Sequence, residues 1–484
     1  MMAQHICGTT MHDQMLMSEM FDKAGLDRGI TKRGDVIYIP VRFHLIADKD
    51  GKGRVPYSAV LNQLAKLNTD YKVHNFKFYL KDNYNFKTID NDKFFENPRD
   101  NESEINKLED NKALNVFIVK TIGGSGVGNG EVLGYYSPEY DFIVIKQNEV
   151  TKLSNTLSHE VGHFFNLRHT FFGWEQNPWN ANDHGEQVFL NFAPNTNIPV
   201  ELVNRSNCTQ AADQLCDTPS EFNFGNSINT CSWPTIVRDK NGDTLKPMVN
   251  NQMAYFNGCS EFKFTADQEK RMRTNFANNL RAYLKSSYIP NTDSLPPISK
   301  PIFPIIENGV KDTFYVYNDA EFIWESQNAD YFLFEIKSSS LNIARFTNEP
   351  RIRITEMAPN KSYVYQVRAF NDGYTATSSS AIQFVTGNLN STSTKDDINV
   401  VKNMAVYPNP SFTNEDFIIG ITSAHEERAE IQVADLLGRV IYTKDVKLEY
   451  GENEINVEGL KTSGIYIVNV KNERGSISKR FSIR

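Results

Sequence analysis

The stretch LSHEVGHFFNLRHT, Leu157 to Thr170, holds three of the chain's nine histidines within eleven residues, and it limits the local fold more than any other segment. His159 and His163 are four residues apart, so on a helix they stand one above the other and aim two imidazoles at one point. His169 lies six residues beyond His163, off that face, so the chain must leave the helix and double back to bring a third imidazole to the same place. That reversal needs a residue at ease with left-handed backbone angles, and Asn166 is of that type. Neutral imidazole is a preferred zinc ligand, and three protein ligands leave the fourth position open, as in catalytic rather than structural sites. Glu160, beside the first ligand, is placed to act on a water as general base. The competing reading is a core helix with two buried histidines and a surface His169; HExxH followed by a third His favours the metal.

The 484 residues exceed one ordinary core, so two to four domains are expected. A formal net charge of -8 argues against a nucleic-acid partner, whose binding rests on clustered Lys and Arg. No run of eighteen apolar residues occurs, so no transmembrane helix is expected. The opening MMAQHICGTTMHDQMLMSEM lacks the basic and apolar regions of a secretory signal, so either the protein is cytosolic or a signal is absent from this chain. Cys208, Cys216, Cys231 and Cys259 fall within fifty-two residues without CxxC spacing. They read as two disulfides, which points to an oxidising compartment and leaves Cys7 as the odd thiol.

From Val36 to about Ser286, strands (Val36 to Ile46, Leu114 to Lys120, Tyr140 to Lys146) interleave with helices. The helices are expected over Ser58 to Tyr71, over EVTKLSNTLSHEVGHFFN, and over Thr265 to Leu284. This is the pattern of an α/β or α+β domain. Past the proline-rich NTDSLPPISKPIFP, alternating segments such as AEFIWES and SYVYQVRAF describe a small all-β sandwich. GNLNSTSTKDDIN then has too little apolar content to fold, and the last eighty or so residues are strand-like again.

HEVGHFFNLRH resembles the zinc signature of the metzincin metallopeptidases, with Asn166 where that family usually has Gly. The following Thr170, CDTPSEF (Cys216 to Phe222) and NQMAYFNGCSEFKFTADQEKRMR (Asn251 to Arg273) are similar to the pappalysin-like branch. The resemblance covers roughly Ile37 to Leu284. It implies that Met253 forms the Met-turn beneath the metal and that Tyr255 moves to stabilise the oxyanion; from the residues alone, Met253 could be core filler and Tyr255 a packed aromatic. Arg-selecting members carry an acid soon after that Tyr, whereas no carboxylate here precedes Glu261, which argues against Arg selection. Cys7 looks like a family cysteine switch, a thiolate holding the fourth zinc position in a latent form, though His5 and Ile6 replace the usual flanking Arg; an incidental free thiol is the alternative. Removal after Arg28, Lys32 or Arg33 would activate such a precursor. Of the three possible pairings, Cys208 with Cys216 and Cys231 with Cys259 is favoured, the second tying the Met-turn to the preceding loop. DQLCDTPSE resembles a calcium loop of relatives, with Asp217 and the Thr218 carbonyl as oxygen ligands; a solvated loop is the other reading.

Trp324 with Met357, Pro359 and Tyr363 resembles a fibronectin type III domain with its tyrosine corner. VYPNP, DLLGRVI, GLKTSGIYIVNV and the basic ending KRFSIR are similar to type IX secretion sorting domains of Bacteroidetes-type bacteria. The expected organisation is a pro-segment at 1–34, a metzincin domain with a twisted mixed sheet and active-site helix at 35–288, a linker at 289–309, and two all-β sandwiches. These lie at 310–387 and 402–484, joined by a linker at 388–401. The expected function is a secreted or surface-exported zinc endopeptidase, monomeric, made latent, exported by the type IX machinery, and cutting protein or peptide substrates laid along an edge strand from Thr121 to Tyr136. A catalytically silent adhesion protein on the same scaffold is the alternative.

Overall fold

The computed structural model describes residues 5–25, 34–82, 86–123, 131–227, 230–291, 295, 298–302, 313–318, 320–326, 328–372, 379–389, 401–423, 427–436, 438–449, 451–472 and 475–484. The processing residues Arg28, Lys32 and Arg33 fall outside them, as do 124–130 of the glycine-rich stretch and 390–400 of the second linker. The chain divides into two compact units, one of residues 1–305, 321–352 and 363–383, the other of 306–320, 353–362 and 384–484.

The first unit is built on a seven-stranded mixed sheet: β1 (His5–Cys7), β2 (Ile37–Ala47), β3 (Phe76–Leu80), β4 (Lys87–Asp90), β5 (Leu114–Val119), β6 (Glu131–Ser137) and β7 (Phe142–Lys146). The order is β1-β6-β7-β5-β2-β3, with β4 also paired to β2. β2, β5 and β7 pair in parallel and are buried on both faces, which is why they read as nearly continuous apolar runs. β6 runs antiparallel to β7. On one face, Ile39, Val41, Phe43 and Leu45 of β2 join Val60, Leu64 and Leu67 of helix α2 (Tyr57–Tyr71) and Leu157, Val161 and Phe164 of helix α3 (Thr156–Phe164) in one core. Each such side chain contributes about 1.5–3 kcal/mol of burial. Phe94, Phe95, Phe117, Phe142 and Val144 cover the opposite face.

Helix α3 begins later than its apolar pattern suggests. Ser154 and Thr156 both donate to Glu149 (2.7 and 2.8 Å), and these side-chain bonds fold the preceding residues into a turn instead of helix. The Thr265 to Leu284 pattern is divided likewise. Helix α4 (Ala266–Ala277) opens on the Thr265 capping box, and a 3-10 turn follows, because Asn278 leaves helical geometry at ψ 150° and its side chain caps Leu280. Helix α1 (Met11–Ala24) carries a second capping box, Thr10 with Asp13.

Strands Tyr331–Lys337, Asn342–Thr347 and Ser362–Phe370 form an antiparallel set in which Leu333 and Phe370 are buried in the same core as α2. Ser58 donates to Glu335 (3.2 Å), Arg368 to Asn62 (2.7 Å), and the Tyr57 ring meets Phe346 edge-on at 4.9 Å. This part of the middle segment is therefore packed on α2 and does more than space two modules. In the second unit, strands Val401–Tyr407, Phe417–Ser423 and Gly451–Val457 face a sheet of Val440–Leu448, Glu427–Asp435, Gly464–Asn472 and Gly475–Ile483. Ile419, Ile421, Ile431, Val433, Val468 and Phe481 fill the space between. The molecule is thus multidomain, with a mixed α/β region followed by all-β modules.

Candidate metal centre

Helix α3 buries every residue from Leu157 to Phe164. It ends in a Schellman arrangement: Asn166 adopts φ 65°, its N–H bonds the His163 carbonyl (2.8 Å), and the Leu167 N–H reaches the Gly162 carbonyl (3.0 Å). The reversal returns His169 to the helix, and the three imidazoles converge with Cys7: their ligand atoms all lie within 4.8 Å of one another. Nε2 of His163 is 3.1 Å from Nε2 of His169 and 3.5 Å from the Cys7 sulfur.

The opposite ring nitrogens are engaged elsewhere. His159 Nδ1 meets the Gln252 carbonyl (2.7 Å), His163 Nδ1 the Leu167 carbonyl (2.8 Å), and His169 Nδ1 the Glu175 carboxylate (3.2 Å). The two main-chain carbonyls place the proton on Nδ1 of His159 and of His163, while Nδ1 of His169 lies between the Glu175 carboxyl and the Gln14 amide nitrogen (3.0 Å); the Nε2 atoms face one point, and among the described residues Nε2 of His159 is buried without a hydrogen-bond partner. Burial lowers His159 to about 4 and drives His163 and His169 well below the usual histidine range, so all three are neutral. Buried, neutral imidazoles with inward lone pairs repel one another unless a cation lies between them. The residues present fit a divalent metal, and zinc above all by ligand type.

Met253 lies beneath. Its sulfur would sit 2.4 Å from a Cβ placed on Gly162, so the glycine inside HEVGH is required by the close approach of this methionine. The Met253 loop is fixed by its own N–H to Asn251 (2.8 Å) and by two side-chain bonds between Asn251 and Gln268 of α4 (3.0 and 3.1 Å). The Tyr255 ring packs 5.0 Å from His169 and 4.7 Å from Phe171. Its hydroxyl donates to the Cys7 carbonyl (3.4 Å), and burial raises its pKa well above normal, keeping it a donor.

Glu160 is fully buried, which pushes its carboxyl up to about 7. Oε2 accepts from the Thr9 hydroxyl (3.0 Å) and the Cys7 thiol (3.5 Å), while Oε1 has no partner. Burial, then the neighbouring Glu160, also drives the Cys7 thiol well up. A shallow cleft runs past Glu160 between Leu133, Thr156, Ala254, Phe256 and Asn257, and Glu160 is the sole carboxylate on its lining among the described residues.

The N-terminal segment fills the site. β1 pairs in parallel with β6, Cys7 opposite Gly134, and Arg99 donates to the Gly8 carbonyl (2.8 Å). Gln14 of α1 accepts the His169 backbone N–H (2.9 Å), and Ser18 bonds Asn166 (3.3 Å). Sequence reasoning found Cys7 but missed Thr9, Gln14 and Glu175, because polar residues at those intervals carry no periodic signal; only the reversal after α3 brings them to the ligands.

The disulfides pair as favoured, Cys208 with Cys216 and Cys231 with Cys259. Thr170 donates to the buried Glu221 of the CDTPSEF run (2.6 Å). Both oxygens of Asp217 are taken by the start of α4, from the Thr265 hydroxyl (2.7 Å) and the Asp267 N–H (2.8 Å), and the Thr218 hydroxyl lies 3.0 Å from Asp213. The expected calcium ligand Asp217 thus serves as a helix anchor here. Burial, and then the Asp213 carboxyl, raises Glu201 to about 9, and burial lifts Asp213 to about 7.

Comparison with known proteins finds similarity to extracellular metalloproteases and to a secretion tail. An extracellular metalloprotease of Sordaria macrospora is 26% identical over 303 residues, covering 57% of this chain and 89% of the relative. One of Neurospora crassa is 27% identical over 304 residues, with the same coverage, and one of Colletotrichum graminicola is 26% identical over 276 residues, covering 51% of this chain and 78% of the relative. Residues 405–484 match the family described as a secretion system C-terminal sorting domain. Among solved structures, the fn3 domain of the human collagen alpha-1(XX) chain is 15% identical and covers 23% of this chain and all of that one, and the FN1–FN3 domains of chicken CNTN1 are 13% identical, covering 39% and 67%. Their TM-scores, 0.17 and 0.16, are too low to support an argument about fold.

Proposed function

We propose that the chain is a secreted zinc endopeptidase of the metzincin type, similar to the pappalysin-like branch, held latent by its own N-terminal segment. The convergence of His159, His163 and His169, each oriented through its Nδ1, is the observation that carries the reading. The similarity to extracellular metalloproteases supports a protease, and the sorting tail supports export, by the type IX route of Bacteroidetes-type bacteria.

His159, His163 and His169 would hold zinc, which when bound supplies a Lewis acid that acidifies water and polarises a carbonyl. Glu160, its Oε1 free of protein partners, takes the proton of the attacking water and returns it to the leaving amine. Tyr255 donates its hydroxyl to the carbonyl oxygen as charge builds there. The substrate backbone lies along β6, which in the latent chain is paired to β1. Leu133, Thr156, Ala254, Phe256 and Asn257 receive a side chain and offer no carboxylate to a guanidinium, which argues against an Arg preference.

In the latent form Cys7 supplies the fourth ligand and Thr9 blocks Glu160, while β1 fills the substrate strand position. The domain limits are those given above, with residues 1–34 removed on activation and 402–484 serving as an export address on a monomer. A structural calcium ion at Asp217 and Thr218 would have to share the carboxylate that anchors α4.

The test is casein cleavage by the full chain, a form starting at Asp35, and that form carrying Glu160→Ala, each with and without a zinc chelator. Cleavage by the zinc-loaded, shortened, Glu160-intact form alone is the expected result. Equal activity of the full chain removes the latent role of Cys7. Zinc bound without cleavage by any form brings forward the silent binding scaffold.

A further inference from the structure

We propose that Glu175 is the positioning residue for the third metal ligand, its carboxylate holding His169 in the ring orientation and tautomer that present Nε2 to the metal. The inference rests on the zinc reading above and concerns a residue outside the HEVGHFFNLRH signature.

Three observations converge on Glu175. Its Oε1 lies 3.2 Å from His169 Nδ1, on a histidine with no solvent exposure, while the glutamate side chain is itself only 9% exposed. Its Oε2 accepts the Gly173 backbone N–H at 2.7 Å, so the carboxylate is fixed at both oxygens. Gly173 makes this possible. Its φ of 105° is a left-handed turn that an L side chain resists, and a Cβ there would come within 3.0 to 3.2 Å of Ala193 and Ile198. The turn sends the chain from His169 through the Phe171 ring, stacked 4.8 Å from the imidazole, and back beneath Nδ1.

The three ligands are not oriented alike. His159 and His163 use main-chain carbonyls of Gln252 and Leu167, whereas His169 alone uses a side-chain carboxyl. A carboxylate on Nδ1–H draws that proton, raises the electron density at Nε2 and strengthens its donation to a cation; such partners typically account for about 10- to 100-fold in metal affinity.

Gln14 of α1 shares both groups, its Nε2 lying 3.1 Å from the same Oε1 and 3.0 Å from His169 Nδ1, while its own Oε1 takes the His169 backbone N–H. The N-terminal segment therefore grips the His169–Glu175 pair directly. When the segment leaves and takes Gln14 with it, Glu175 remains as the one side-chain partner of His169 Nδ1 among the described residues, so its contribution persists in the processed protein.

The test uses the full chain as wild type, Glu175→Gln, Glu175→Ala and His159→Ala, each freed of metal by dialysis against a chelator. Zinc affinity is read by competition with a chromogenic chelator, ligand geometry from the visible spectrum of the cobalt(II)-loaded protein, and folding from melting of the metal-free forms. Zinc affinity is expected to fall about 10- to 100-fold in Glu175→Ala and by less in Glu175→Gln, which keeps one acceptor oxygen, with shifted cobalt bands in both. Wild-type zinc affinity and cobalt spectra in both variants overturn the inference, even where metal-free melting is lowered, because that pattern is a packing role. Should Glu175→Ala not fold, the near-isosteric Glu175→Gln decides by the same two readouts. Failure of the wild type to bind zinc better than His159→Ala overturns the zinc reading itself, and this inference with it.

Discussion

The floor of the site and the segment that covers it meet at one point, yet they are held there differently. Helix α3 and the turn after it bury every residue from Leu157 to Phe164, and each ligand is locked to a carbonyl or carboxylate. Helix α1 buries only Gln14 and Met17 of its fourteen residues, and β1 is three residues long. A position fixed by close packing has no low-energy alternative, whereas one fixed by a few hydrogen bonds and a thiol can be vacated. The difference is the one that the proposed function requires, a fixed centre beneath a segment that can leave.

The largest effect is expected at the floor. Glu160→Ala in the form starting at Asp35 should cut casein turnover by about 10²- to 10⁴-fold while leaving zinc content intact, since a general base contributes on that scale. Retained turnover would sink the role given to Glu160. Next, Cys7→Ala in the full chain should raise casein cleavage above that of the unprocessed wild type without altering metal-free melting; an unchanged rate would mean that the cover holds without its thiol.

Two changes probe how rigid the floor is. Loss of the Cys231–Cys259 bridge, which closes a 28-residue separation, should cost about 3–4 kcal/mol in urea unfolding on the chain-entropy estimate. Gly162→Val drives a side chain into the Met253 sulfur, and overpacking of this kind costs about 1–3 kcal/mol; a neutral result would show that the Met253 loop yields. The smallest effect belongs to the cover. Thr9→Val deletes the hydroxyl shared by Glu160 and the Tyr136 N–H, and it should loosen the segment by roughly tenfold, read as faster exchange of the Gly8 and Gln14 amides.

One prediction concerns pH. Glu201 has a folded pKa near 9, above the unfolded carboxyl value, so folding binds its proton between those limits. Stability from this group is complete below the unfolded pKa and is lost as pH rises towards 9. Glu201→Gln should therefore raise the melting temperature more at pH 8 than at pH 5; the reverse order would show that Glu201 is ionised and partnered in the fold.

Much of this was legible along the chain. His159 and His163 are set by helical spacing, and Asn166 marks the reversal because few other residues accept its φ of 65°. The strands Ile37–Ala47, Leu114–Val119 and Phe142–Lys146 are visible because burial on both faces leaves continuous apolar runs. The late start of α3 and the break at Asn278 escaped the apolar pattern, since side-chain bonds from Glu149 and Asn278 decided them. The helix-anchoring role of Asp217 and the packing of the middle strands on α2 depend on partners 48 and more residues away.

The sequence by itself determined which residue types meet at the centre and the place where the chain turns back, because both depend on residue type and spacing within one helix and its cap. Tertiary structure alone decided that β1 lies along β6, that Thr9 reaches Glu160 across 151 residues, and that Glu175 comes to rest beneath His169. The first is a backbone pairing of three residues and the other two are single hydrogen bonds between polar side chains; none leaves a periodicity in the chain, and each acquires its partner only when the buried core fixes where the backbone runs.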